Sequence, residues 1–351
     1  MISRMFVVVV MWLVTMSSLC VAQQYTVTDL GTLGGDSSTA LAVNRDGQVV
    51  GESYLRGNQQ FHAFIWTSNR GMHDLGTLNS IGDSEAVGIN DSGQVVGSSQ
   101  FSTSNSFHAY IWSSQQGMTD LGTLGGNTSA GNGINGMGQV AGAACLADNV
   151  TQHAFFWNPT LGMQDLGTLG GSSSFAYGIN DDGEVIGASY LSDNITVHPF
   201  IWTQSNGMLD LSLPGSHTSA FAVNGIGEIV GSAGTAHYQY AFINASNGSF
   251  RALGTLGGNG SVATGINALD QVVGYSITTS GPQNAFIWRS SSGIENLNDS
   301  IPPNSGVTLV EANGINRSGQ IAAFGTTSSF PAGLAYLLTP IKQPSSQRSK
   351  P

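Results

Sequence analysis

Charge is what this sequence has least of. Only 9% of its 351 residues are charged, against roughly 25% in an ordinary soluble domain. Its 10 Lys and Arg face 21 Asp and Glu, for a formal net charge of −11. Both lysines, Lys342 and Lys350, stand in the last ten residues. The body therefore has no lysine for a phosphate loop and too few cations to capture nucleic acid or an anionic membrane surface. Cysteine is scarce as well, with only Cys20 and Cys145. Gly-x-Ser-x-Gly, His-Glu-x-x-His and Cys-x-x-Cys are all missing, so no catalytic or metal-ligating motif announces itself. The most apolar stretch, residues 6–14 (FVVVVMWLV), is too short to span a bilayer, which takes about 20 residues.

Residues 1–22 read instead as a secretory signal peptide, with Arg4 before the apolar run and a small-residue cleavage site at Cys20-Val21-Ala22. Cleavage there leaves Cys145 as the one cysteine of the mature chain, a small buried residue rather than half of a disulfide. Residues 341–351 (IKQPSSQRSKP) are polar and contain proline, and read as a disordered tail. The expected location is extracellular or periplasmic.

What the chain has in abundance is glycine, 48 residues, among Ser, Thr and Asn, a composition for many short strands and turns. One phrase recurs seven times, from AVNRDGQVVG at 42–51 through GINDSGQVVG at 88–97 to GINRSGQIAA at 314–323. Its asparagines, Asn44, Asn90, Asn135, Asn180, Asn224, Asn267 and Asn316, are 43 to 49 residues apart. That period is the size of one four-stranded propeller blade. Each unit supplies strand A ending at the Asn, strand B (QVVG), strand C (HAFIW) and strand D (GMxDL). The N-x-x-G joint suits a tight A–B hairpin, with Asn bonding its own backbone and Gly left-handed. Ala268-Leu269-Asp270 lacks that Gly. Two and four residues before every Asn stand only Ala or Gly, so one face of strand A is uniformly small. Crowding of seven strands around an axis demands such residues, which puts strand A innermost.

The first mature segment, residues 25–30, is a D strand without a blade, and the last unit stops after its C strand at 334–338. Pairing the two completes a seventh blade and removes the exposed edges. The expected fold is thus all-β: a seven-bladed β-propeller over residues 23–340, closed by the N-terminal strand pairing with the last three C-terminal strands. His-Ala-Phe-Ile-Trp, Asp-Leu-Gly-Thr-Leu-Gly-Gly and Gly-Ile-Asn-x-x-Gly-Gln-Val-Val-Gly, repeated over about 25–340, resemble the HAF-repeat family of extracellular bacterial repeat proteins. The resemblance implies secretion and a propeller-like β fold, and brings no established activity.

His62, His108, His153 and His198 each precede an Asp by twelve residues, namely Asp74, Asp120, Asp165 and Asp210. Where the His becomes Tyr240 or Asn284, the Asp becomes Ala252 or Asn296, a paired loss that suggests contact, although the seventh unit breaks the pattern with Leu334 against Asp29. Strand C lies about 10 Å outside the innermost strand, so these histidines cannot converge on one ion and read as struts. The strand C aromatics, such as Phe64 and Trp66, read as packing between blades. Strand order places the B–C and D–A loops on one face. The B–C loops differ from blade to blade and carry Tyr54, Phe101, Tyr190, Tyr238, Tyr275 and Phe330, the candidate ligand face.

These features point to a secreted, monomeric, non-catalytic binding or structural module, without metal or cofactor, that recognises an extracellular glycan or protein. A carbohydrate leads, because a weakly charged Asn/Ser/Tyr-rich face suits neutral polar ligands. The alternative is a secreted polysaccharide hydrolase or lyase using funnel carboxylates, with Asp83, Glu85, Asp299 and Glu311 as the candidates.

Overall fold

The structure, a computed structural model, describes residues 25–80, 82–102 and 106–341. The expected leader at 1–22 and the tail beyond Ile341 lie outside the described residues. Seven four-stranded antiparallel sheets account for the strands. The innermost strands A are Gly34–Val43, Ser84–Ile89, Gly125–Ile134, Gly170–Ile179, Ser219–Val223, Gly257–Ile266 and Thr308–Ile315, which open blades 1 to 7 in that order. Each of them packs against the A strands of both neighbouring blades, including blade 7 against blade 1. The molecule is a seven-bladed β-propeller.

Blade 7 is built from both ends of the described chain. Tyr25–Asp29 pairs antiparallel with Leu334–Pro340, placing Tyr25 opposite Pro340 and Asp29 opposite Tyr336. Tyr25 is fully buried, and the Leu30 N–H donates to the Ala335 carbonyl at 3.0 Å.

The repeated asparagine does more than shape its own hairpin. In blade 3 the Asn135 Oδ1 accepts from the Met137 and Gln139 N–H groups, while Nδ2 donates to Gln139 Oε1 at 2.7 Å. The second Nδ2 proton goes to the Asn180 carbonyl of the next blade at 3.0 Å. All four hydrogen-bonding positions of the side chain are then in use. The same link runs from Asn44 to Asn90, Asn90 to Asn135, Asn180 to Asn224, Asn224 to Asn267 and Asn267 to Asn316. It closes from Asn316 back to the Asn44 carbonyl at 2.8 Å. All seven asparagines are buried.

Strand A is indeed crowded, but it does not alternate strictly. A β-bulge falls between the two small positions in every blade, as between Ala40 and Ala42 or between Ala176 and Gly178. The bulged residues Leu41, Val87, Asn132, Tyr177, Phe221, Thr264 and Asn313 break the uniformly small face expected from a period of two. Several of them reach the next blade. Asn132 Nδ2 donates to the Ala176 carbonyl and Asn313 Nδ2 to the Ala40 carbonyl. The small positions beside them are crowded: a Cβ on Gly133 would stand 3.2 Å from Gly178 Cα of the adjacent blade, tight enough that one of the two must shift by a few tenths of an ångström.

The apolar core lies in the seams between sheets. Phe156 of blade 3 meets Trp202 of blade 4 at 5.4 Å between ring centroids, within a cluster that includes Ala141, Ala176 and Phe200. A strand A serine laces each of several seams. Ser84 Oγ accepts from the Ala63 N–H and donates to the Gly76 carbonyl, and Ser38 Oγ accepts from the Ala335 N–H across the closing seam. Pro199 has no N–H to give, and there the Thr218 hydroxyl donates to the Pro214 carbonyl while its N–H donates to the Val197 carbonyl. Cys145 is buried and free. Among the described residues no helix is long and apolar enough to cross a membrane.

Replacing Asn135 by Ala leaves the Met137 and Gln139 N–H groups without their acceptor and takes from the Asn180 carbonyl the bond between blades, leaving it only the Gly183 N–H. It is expected to cost about 2–3 kcal/mol, read as a lower urea midpoint at unchanged m-value.

Candidate functional site

The loop face is more regular than the sequence suggests. In blades 1, 3 and 4 the B–C loop turns on Asn58, Asn149 and Asn194, all with positive φ, at 54°, 57° and 53°. Their Oδ1 atoms accept from the N–H groups of Asp36, Asn127 and Ser172, tying each B–C loop to the start of strand A in the same blade. The Leu-x-x-Asn spacing at 55–58, 146–149 and 191–194 is the signal that could have revealed this shared turn. Asp148 and Asp193 are committed within these loops. Hydrogen bonds from Thr196, first its hydroxyl, hold the Asp193 carboxyl down at about 2.

The His–Asp struts lie at the same end of the blades. His62, His108, His153 and His198 place Nδ1 within 2.8–3.1 Å of Asp74, Asp120, Asp165 and Asp210. Since a carboxylate only accepts, each Nδ1 carries the proton. The same carboxylates also cap their own turns, as Asp74 does for the Gly76 N–H at 2.7 Å. Each Asp therefore fixes two elements and has a structural task.

The aromatic candidates divide. Tyr54 packs edge-on to Phe61 at 5.9 Å, and Phe101 stacks on His108 at 4.0 Å. Tyr238 and Phe330 are exposed. Tyr190 and Tyr275, by contrast, line two adjacent clefts on either side of blade 5. The cleft between blades 4 and 5, about 200 Å³, is bordered by Tyr177, Tyr190, His217 and Gln239. The cleft between blades 5 and 6, about 240 Å³, shares Gln239 and adds His237, Asn259 and Tyr275. The two clefts open where the repeat departs from its pattern. Blade 5 has no His–Asp strut, and residues 211–217 (LSLPGSH) replace the GTLGG turn at its entrance. Neither cleft is lined by Asp, Glu, Lys or Arg. Burial raises the Tyr177 and Tyr275 hydroxyls above the usual tyrosine value, so both remain neutral donors. Tyr177, Gln239 and the two histidines escape a reading of strand patterns. Tyr177 sits on the bulge, and the others stand in the irregular stretches around blade 5.

The four candidate acids do not form one group. Asp83 and Glu85 stand at the seam of blades 1 and 2, where the Asp83 carboxylate accepts from the Phe61 N–H and the Glu85 carboxylate from the Ser98 hydroxyl. Glu311 is at the seam of blades 6 and 7, bonded by Gln283 Nε2 at 2.9 Å. Asp299 lies in the connector between those blades, in the short 3-10 helix Leu297–Ser300. The first pair does meet an acid that the sequence does not single out, Glu52 on strand B of blade 1. Burial, and then the charges of Glu85 and Asp83, push its carboxyl up to about 7. Among the described residues no cluster of three or more His, Cys, Asp or Glu side chains could hold a metal ion.

Fold and clefts together define a propeller with two clefts on its loop face bordered by aromatic, amide and histidine side chains. No protein-family profile and no curated protein matches the chain. Solved structures do resemble it. Virginiamycin B lyase from Staphylococcus aureus is 13% identical with a TM-score of 0.55, over 91% of this chain and 100% of that one. TolB from Acinetobacter baumannii is 12% identical with a TM-score of 0.43, over 81% of this chain and 60% of that one. The Aleuria aurantia lectin is 12% identical with a TM-score of 0.40, over 76% of this chain and 96% of that one. The chain thus spans only 60% of the length of TolB. At these identities the likeness to the lyase shows the propeller fold alone.

Folding captures a proton on Glu52 between about pH 4.5 and 7, so stability falls as pH rises through that window, by about 3 kcal/mol for this group. Glu52→Gln is expected to raise the melting temperature above pH 7 and to leave it unchanged below pH 4, as calorimetry across that range checks.

Proposed function

We propose that this protein is a secreted, non-catalytic binding module whose ligand is a neutral polar polymer, with carbohydrate as the leading class. The observation that carries the reading is that Tyr, Gln, Asn and His side chains, but no Asp, Glu, Lys or Arg, border the two clefts beside blade 5, with Glu311 at the next seam reaching Tyr275 only through its charge. Tyrosine rings offer apolar faces to one side of a sugar, while tyrosine hydroxyls, Gln239 and Asn259 supply the few placed polar groups that a ligand site needs. At about 200 and 240 Å³, each cleft is smaller than a drug-sized pocket of roughly 300–1,000 Å³. Each fits one residue of a chain that continues across Gln239 to the other. The leader expected at 1–22 and the resemblance to extracellular HAF-repeat proteins support the proposed location.

A second reading, hydrolysis or elimination of a polysaccharide, draws on Glu52. A carboxyl held near 7 beside two further acids is a general-acid arrangement. Asp83 and Glu85, however, already accept hydrogen bonds from blade 1 and blade 2, which favours binding over turnover.

A glycan array followed by titration of the mature protein tests the proposal. The expected result is saturable binding that Tyr190→Ala or Tyr275→Ala weakens about tenfold, the equivalent of 1.4 kcal/mol. Binding should also be insensitive to salt, since no ion pair contributes. Turnover of a polysaccharide, abolished by Glu52→Gln, would favour the enzyme instead.

A further inference from the structure

Blade 6 carries a second departure from the repeat, and it leaves a larger space. In four blades the His–Asp strut fills the gap between strands C and D at the loop end. Blade 5 loses the strut too, and there Tyr240 packs against the seam core. Blade 6 exchanges His for Asn284 and Asp for Asn296 and does not fill the gap. A cavity of about 900 Å³ opens there, bordered by both asparagines, the B–C loop residues 278–280 and the connector at Asp299. Asn296 keeps one task of the missing Asp, since its Oδ1 accepts from the Asn298 N–H at 3.0 Å. Its Nδ2, the whole Asn284 amide, the Thr279 hydroxyl and the Asp299 carboxylate have no hydrogen-bond partner among the described residues and border the open space. Leu256 and Ile294 form an apolar border.

We infer that this cavity is a distinct saccharide-binding site on the outer half of blade 6. Amides present paired donors and acceptors, the Asp299 carboxylate, the Arg289-paired Glu295 carboxylate and the Thr279 hydroxyl add further acceptors, and the apolar wall suits the less polar face of a pyranose. The volume takes two or more linked sugar residues, where the clefts beside blade 5 each take one. The inference rests on the carbohydrate reading of the loop face but uses none of the residues of those clefts. In this view the paired exchange to asparagine removes a strut in order to open a site.

The other blades supply the test, because Asn284→His with Asn296→Asp rebuilds a strut that four blades already fold with. Cellobiose, chitobiose and maltose are titrated into the wild type, into N284H/N296D and into Y190A/Y275A, with ligand-observed NMR as the readout and melting temperature as the folding control. The expected result is that at least one disaccharide binds the wild type and Y190A/Y275A, and binds N284H/N296D at least tenfold more weakly. Binding that survives in N284H/N296D and disappears in Y190A/Y275A would overturn the blade 6 site and leave the proposed function standing. Absence of binding by all three disaccharides to every variant would overturn both.

Discussion

Seven asparagine side chains hold hands around the axis, and the rest of the molecule depends on that circuit. Each Nδ2 spans to the next blade's asparagine carbonyl, the last link running from Asn316 to Asn44 across 272 residues of sequence. The geometry admits no longer or shorter amide. Glutamine would overshoot, and aspartate would set a carboxylate against the carbonyl and against the Gln or Glu four residues on. The two longest links, 3.4 and 3.3 Å, start at Asn180 and Asn224, whose partners within their own blades are the carboxylates Glu184 and Glu228. There a charge-assisted bond competes for the same amide. The circuit also explains the small residues beside it, because the inner strands must approach closely enough for one amide to bridge them.

A ring tied at its centre leaves the periphery free to vary without loss of fold. Strand pairing within blades, apolar seams between them and the serine lacing repeat around the ring, while the His–Asp strut is replaced in blades 5 and 6 and in blade 7, where Leu334 stands against Asp29. Blade 5 loses its strut and its regular entry turn, and blade 6 its strut alone. Clefts and the large cavity open at these departures. A rigid scaffold with local irregularity is the usual arrangement for recognition. That no Lys, Arg, Asp or Glu lines the blade 5 clefts follows from the same scarcity of these residues that marks the whole sequence.

Much of this architecture was legible in the residues. The asparagine spacing gave the blade count, and the split final unit placed Tyr25–Asp29 against Leu334–Pro340. The twelve-residue His–Asp spacing marked side chains that do touch. What escaped were contacts between units. The link from Asn44 to Asn90 joins residues 46 apart, and no pattern within one strand distinguishes it from a turn bond. The bulge at Leu41 and its six counterparts hides because an extra residue shifts side-chain alternation without altering composition. Nothing in the repeat marks Glu52. Its environment comes from Asp83 and Glu85 of the neighbouring seam, which only assembly of the ring brings near.

The most direct measurement is NMR of the asparagine side-chain amides in deuterated protein, with Asn316 assigned by substitution. The account predicts Nδ2 protons that exchange slowly with solvent and show a nuclear Overhauser effect to the Asn44-Arg45 peptide. Rapid exchange at Asn316, with no contact to that peptide, would mean that the ring is open and would contradict the account at its centre.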